Sequence, residues 1–143
     1  MYSTIVVGTD GSESAAEAVS AAAELARQSG AVLHLVTAYQ ASSGGMAVLA
    51  AGVVIPDPGP AHALISQRAH DILAEVAGKL EGVSIERHAA EGDPADSIVA
   101  VAEQVGADVI VVGSKGMNRR ILGSVPNSVA HKAPCAVLIV KTV

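Results

Sequence analysis

Five segments of strand length, four of them apolar and rich in β-branched residues, are separated by segments of helical period. The runs are Thr4–Gly8 (TIVVG), Val32–Ala38 (VLHLVTA), a stretch around Ser84–Ala90, Val109–Gly113 (VIVVG) and Cys135–Val140. Each has strand length. Val109–Gly113 is apolar almost throughout, as expected of a strand covered on both faces.

The segments between them read as helices. Ser14-x-x-Glu17 has the form of a capping box, and the Ala-rich stretch behind it predicts a helix stopping at Gly30. Over residues 61–80 the apolar positions Ile65, Ala69, Ile72, Val76 and Leu80 recur with a helical period. Asp93 followed by Pro94 reads as a cap and first helical position, with Ile98, Val101, Ala102 and Val105 on the buried face. A short helix is predicted from about Ser124 to Lys132, with Ser124 as its cap.

Strict alternation of strand and helix calls for a parallel sheet with right-handed crossovers. The predicted fold is a single α/β domain over residues 1–143. Its core is a doubly wound, Rossmann-like, five-stranded parallel sheet of order 3-2-1-4-5. Residues 41–60 form the one long irregular connection. It is either a disordered insertion or a segment that covers a ligand or meets another subunit.

Composition narrows the partners. Half of the residues are hydrophobic but only 1% are aromatic, so the core must be aliphatic. That shortage, with a net charge of −5, argues against nucleic acid, which is held by stacking platforms and basic surfaces. A single cysteine, Cys135, excludes an intramolecular disulfide. The N-terminus lacks the basic and cleavage features of a secretory signal. Gln28–Pro56 carries no Asp, Glu, Lys or Arg, but Gln40 and the Ser42–Gly45 run interrupt it, and the apolar remainder is too short to span a membrane. A cytoplasmic protein without membrane contact is expected.

In a doubly wound sheet the ligand sits beyond the carboxyl ends of the strands where their order reverses. Here Gly8-Thr9-Asp10-Gly11-Ser12 and Gly113-Ser114-Lys115-Gly116 would face each other across that crevice. From Gly113 to Lys132 there are four basic residues (Lys115, Arg119, Arg120, Lys132) and no acidic one. Gly113 and Gly116 let backbone amides approach an anion, and Gly123-Ser124 opens a helix whose first amides favour one. The Gly-Lys-Ser/Thr ending of a Walker A loop is missing. A tight strand-to-helix turn with a solvated arginine pair accounts for the same residues nearly as well. Asp10 can bond a ribose hydroxyl or hold Mg²⁺ beside phosphates; turn formation and capping of the first helix is the competing role. The five histidines show no metal-ligand spacing, Cys135 reads as a small buried hydrophobe, and Ser12 and Ser14 lack triad partners.

GTDGSESA after the first strand, EGDPADSIV before the third helix, and ADVIVVGSKGM…LGSVPNSVAHKAPCAVLIV at the end resemble the universal stress protein family. The resemblance covers all but roughly residues 40–62. It implies a five-stranded doubly wound fold, usually dimeric, and in nucleotide-binding members an ATP site marked Gly-x2-Gly-x9-Gly-Ser/Thr. On that resemblance Gly113 and Gly116 match the first two glycines and Gly123-Ser124 the closing pair, with Val125 beside it. Gly8, Thr9 and Asp10 fall on the loop that meets ribose and adenine. Ala38 falls where a backbone group bonds the adenine ring, and Val112 and Lys115 match pocket-lining positions. The chain departs from the signature in the middle: six residues, Met117–Leu122, stand where nine are usual. Arg119 and Arg120 can compensate with charge.

The resulting expectation is an ATP-binding, stress-response regulatory module that acts through conformation or partner choice, with at most slow hydrolysis. It would be a homodimer through the edge strand 135–140. Alternatives are an AMP- or cAMP-binding member, a dimeric scaffold without nucleotide, and an ATP-using enzyme of the pyrophosphatase-loop type.

Overall fold

The computed structural model describes residues 2–40, 46–48, 54–56, 59–114 and 122–142. Its elements in chain order are β1 (Thr4–Gly8), α1 (Glu13–Ser29), β2 (Val32–Tyr39), β3 (Met46–Val48), β4 (Val54–Pro56) and α2 (Gly59–Gly78). There follow β5 (Ser84–Glu91), α3 (Pro94–Val105), β6 (Val109–Gly113), α4 (Ser124–Lys132) and β7 (Ala136–Val140). Five strands form one sheet, β5-β2-β1-β6-β7, parallel at every pairing. In the sheet's own strand count this is the order 3-2-1-4-5, so the predicted architecture holds.

The alternation of side chains across β1, β2 and β6 splits the core in two. On one face Ile5, Val7, Leu33, Leu35, Val109 and Val111 pack against α1 and Leu73 of α2. On the other, Val6, Val36, Ile110 and Val112 pack against α3 and Val129 of α4. Alanines of α1 (Ala18, Ala22, Ala23, Ala26) are almost fully buried; small side chains let the helix lie close on the sheet.

Local details depart from the sequence reading at three points. The cap of α1 is Ser12, whose Oγ accepts the Ala15 amide at 3.2 Å, so the helix begins at Glu13 rather than around Ser14. The cap of α4 is Gly123, and Ser124 is its first helical residue. Residues 41–60, expected to be irregular, contain the antiparallel pair β3–β4 and the start of α2. The cap of α3 is as predicted, with Asp93 accepting the Asp96 amide at 3.0 Å and Pro94 opening the helix.

Among the described residues, the buried side-chain polar groups are paired. Ser114, fully buried, accepts the Thr142 amide at 2.9 Å through its hydroxyl. Burial pushes the Cys135 thiol up from its ordinary value, with Asp108 adding to the shift. Burial also holds the His34 imidazole below its ordinary value against the pull of Glu86. No helix among the described residues is long and apolar enough to cross a membrane.

Candidate nucleotide site

A cavity of about 450 Å³ opens beyond the carboxyl ends of β1, β2 and β6, within the size range of small-molecule sites. Nine residues singled out from the sequence line it: Gly8, Thr9, Asp10, Ala38, Val112, Gly113, Gly123, Ser124 and Val125. Lys115, Gly116, Arg119 and Arg120 lie outside the described residues.

Hydrogen bonds fix the β1 exit loop to β2. The Thr9 amide donates to Val36 O at 2.9 Å, and the Thr37 hydroxyl donates to Thr9 O at 2.7 Å. The loop then turns through Asp10, whose Oδ1 accepts the Ser12 amide at 2.9 Å. Gly11 has φ +81°, a conformation that strains any residue with a Cβ. Its amide donates to Thr9 Oγ1 at 3.1 Å. So Asp10 is held at the cavity wall by the turn itself and does not cap α1.

The same bonds orient Ala38. Successive residues of a strand direct their main-chain polar groups to alternate sides. Val36 O bonds Thr9 on the β1 side, whereas Tyr39 O accepts the Gly92 amide, at 2.8 Å, on the β5 side. The N–H and C=O of Ala38 therefore point to the β1 side, where pairing with β1 has ended at Gly8. A donor and an acceptor stand side by side at the cavity wall.

Three helices present their first turns to this space: Ser12, Ser14 and Ala15 of α1, Pro94 and Ile98 of α3, and Ser124, Val125 and Pro126 of α4. Unpaired amides and the helix dipole favour negative charge at such ends, least at α3, where Pro94 has no N–H and the Asp96 amide already bonds the Asp93 carboxylate. At α4 the intrahelical ladder begins with Asn127 N–H to Gly123 O at 3.0 Å. Pro126 has no N–H, so the amide donors there are those of Gly123, Ser124 and Val125.

Val36, Ile98, Val112 and Val125 supply aliphatic surface. Ile98 crosses close over β1: a Cβ built on Gly8 would lie 2.5 Å from its Cδ1. A Cβ on Gly113 would instead meet Thr142 Cγ2 at 3.2 Å and Ser14 O at 3.6 Å. The smallness of Gly113 thus serves the packing of α1 and the chain end, not only an approach to an anion. Lys132 is the last residue of α4 and pairs with Asp96 at 2.8 Å.

Ser12, Ser14, Ala15, Val36, Pro94, Ile98 and Pro126 also line the cavity and were not among the sequence candidates. The sequence signal for Ser12 and Ser14 was their place in the glycine turn. Ile98 was masked by its helical period, which marks a core position equally well.

The model of the universal stress protein family matches residues 1–141. This chain belongs to that family. Universal stress protein Rv1636 of Mycobacterium tuberculosis is 33% identical to it over 153 aligned positions, covering 99% of this chain and 97% of that one. A universal stress protein solved in complex with cAMP is 35% identical, with a TM-score of 0.72 over 99% of this chain and 98% of the other. The universal stress protein of Archaeoglobus fulgidus in complex with dAMP is 25% identical, with a TM-score of 0.64 over 96% and 97%. Relatives of this universal stress protein thus include two crystallised with adenine nucleotides.

Proposed function

We propose that this universal stress protein binds an adenine nucleotide in the crevice between β1 and β6, with ATP preferred. It would act as a cytoplasmic regulatory module whose conformation or partner choice follows the bound ligand. The observation that carries this reading is the convergence of three helix starts on a cavity whose wall also offers the Ala38 N–H and C=O. That pair matches the donor and acceptor on one edge of adenine, the aliphatic side chains suit its faces, and the α4 amides suit a phosphate. The cAMP- and dAMP-bound relatives support the same ligand class.

The preference for ATP rests on charge. Lys115, Arg119 and Arg120 follow Gly113 without an intervening acid, enough to offset phosphates beyond the first. Asp10, the carboxylate among the described lining residues, would bond a ribose hydroxyl or hold Mg²⁺ beside those phosphates. The second reading, cAMP, is favoured by the 35% identity to the cAMP-bound relative. Calorimetric titration of ATP, AMP and cAMP into untagged protein tests the two. Tightest binding of ATP supports the proposal, tightest binding of cAMP supports the second reading, and absence of binding by all three removes the nucleotide site.

The proposal includes a homodimer through β7. That strand is a sheet edge, and Leu138 and Ile139 on it are 42% and 37% exposed. Two-fold pairing with a second copy would cover both the edge and these side chains.

A further inference from the structure

At the edge of the sheet opposite β7, β2 and β5 bring His34 together with Glu86 and His88, which lie more than 50 positions further along the chain. In the parallel register His34 is the partner of Glu86 and Val36 the partner of His88. Glu86 and His88, two residues apart on one strand, therefore share a face with His34. The ligand atoms of all three lie within 4.8 Å of one another. His34 Nδ1 is 2.9 Å from His88 Nε2 and 3.4 Å from Glu86 Oε2.

A hydrogen bond between the two imidazoles accounts for the first distance but leaves an unbalanced arrangement. If His88 donates to His34, the lone pair of His34 Nδ1 is spent and Glu86 faces no proton there. If His34 donates, one proton serves two acceptors, a ring nitrogen and a carboxylate. In either case two nitrogens and an anionic oxygen converge where a single proton stands. A divalent cation satisfies three converging lone pairs at once.

We propose that His34 Nδ1, His88 Nε2 and a carboxylate oxygen of Glu86 form a binding site for one first-row divalent transition metal ion, of which zinc is the best fit. Two imidazoles and one carboxylate are the donors that such ions prefer over magnesium or calcium. Bond lengths of about 2.0–2.2 Å in tetrahedral geometry put neighbouring donor atoms about 3.3 Å apart. The 2.9 and 3.4 Å separations bracket that value, and the third pair, Glu86 to His88, lies within 4.8 Å, so rotation of the exposed Glu86 side chain completes the site.

The proton of His34 would reside on Nε2 once the metal takes Nδ1. Glu86 is well exposed, with 64% of its side chain accessible, so a fourth position lies on the solvent side for water or another ligand. The groove that His88 lines also carries Glu91, Asp93 and Asp96 against Arg87 and Lys132, the latter paired with Asp96, which leaves a net negative charge that favours an arriving cation. A bound ion would tie the edge strand β5 to β2 through side chains as well as through the ladder.

The test is a titration of ZnCl₂ into the untagged, chelator-treated full chain, followed by calorimetry and thermal melting, with CoCl₂ as a spectroscopic probe. The expected results are one equivalent bound, a raised melting temperature, and visible Co²⁺ absorption typical of a four-coordinate site. Losing outer-shell support alone weakens metal sites by about 10–100-fold. His88→Ala, which removes a ligand, should weaken zinc by at least about 100-fold, and Glu86→Gln, on an exposed residue, keeps the test alive if His88→Ala misfolds. His70→Ala, which removes a histidine of α2 that lines the same groove but lies outside the cluster, should bind zinc as the wild type does. No saturable zinc binding by the wild type overturns the proposal. So does undiminished binding in Glu86→Gln together with folded His88→Ala, or a loss confined to His70→Ala.

Discussion

Oδ2 of Asp108 accepts hydrogen bonds from both the amide and the hydroxyl of Ser3, at 2.8 and 2.9 Å. The Thr4 amide adds a third at 2.9 Å, and the Asp108 amide returns one to Thr4 O at 2.9 Å. This clamp joins the starts of β1 and β6, the two central strands whose far ends open the crevice. The backbone amides of Ser3 and Thr4, then the Ser3 hydroxyl, hold the Asp108 carboxyl below its ordinary value of 3.8.

A carboxyl with a depressed pKa stabilises the fold fully above its unfolded value and loses that contribution as pH falls through the folded one. The wild type should therefore exceed Asp108→Asn in stability at neutral pH, with the gap closing once the pH drops below about 3.8. Urea melts of both proteins at pH 7, 4 and 3 check this. A gap that stays constant across the series would mean the clamp does not depend on ionisation.

Gly113→Ala should act on the fold more than on the ligand. The added Cβ would press on Thr142 Cγ2 at 3.2 Å and approach Ser14 O at 3.6 Å. Overpacking of that kind costs about 1–3 kcal/mol, and Thr142 is itself buried and held by the Ser114 hydroxyl. Denaturant unfolding gives the cost. Nucleotide affinity of the folded variant should stay within a few-fold of the wild type.

Replacing both Arg119 and Arg120 with Ala should lower ATP affinity and leave AMP affinity nearly unchanged. Each charge-assisted phosphate contact contributes about 1.5–3 kcal/mol, so the ratio of ATP to AMP affinity should fall at least about tenfold. Calorimetry on wild type and variant reads that ratio directly. An equal loss for both nucleotides would place the arginines near the first phosphate or in the fold.

Leu138→Lys should give a monomer. The residue is 42% exposed on the edge strand β7, and a lysine there opposes strand pairing by charge and desolvation. Light scattering at tens of micromolar should show the dimer mass for the wild type and half of it for the variant. A monomeric wild type would remove the dimer from the proposal.

The sheet was legible because four of its strands are compact apolar runs and each crossover helix carries its own period; β5, SIERHAAE, carries little apolar signal of its own. Asp93-Pro94 could be placed at a helix start because cap and first residue act within one turn. Ser14 was mistaken for the cap of α1 because Ser12 and Ser14 are both competent and only the turn at Gly11 decides between them. The β3–β4 pair was missed because three-residue strands carry too few positions for a period. The His34–Glu86–His88 cluster was invisible for another reason: its members meet through the β2–β5 register, across 54 positions of chain. No local spacing records such a meeting. The crevice was better anticipated than its contents, since strand ends and helix starts fix its place whereas Ile98 enters it from a helix face that also serves the core.

Ala38 carries one more implication. In the proposed complex the atoms that read the base belong to the peptide backbone, and among the described residues lining the crevice none is aromatic. Side chains there supply area and charge; the main chain supplies identity. A mutation at Val36, Ile98 or Val112 can change how tightly a nucleotide is held, but it leaves the N–H and C=O of residue 38 where the strand puts them. Sequences descending from a common ancestor could therefore drift widely in affinity, and in the number of phosphates accepted, while continuing to choose the same base.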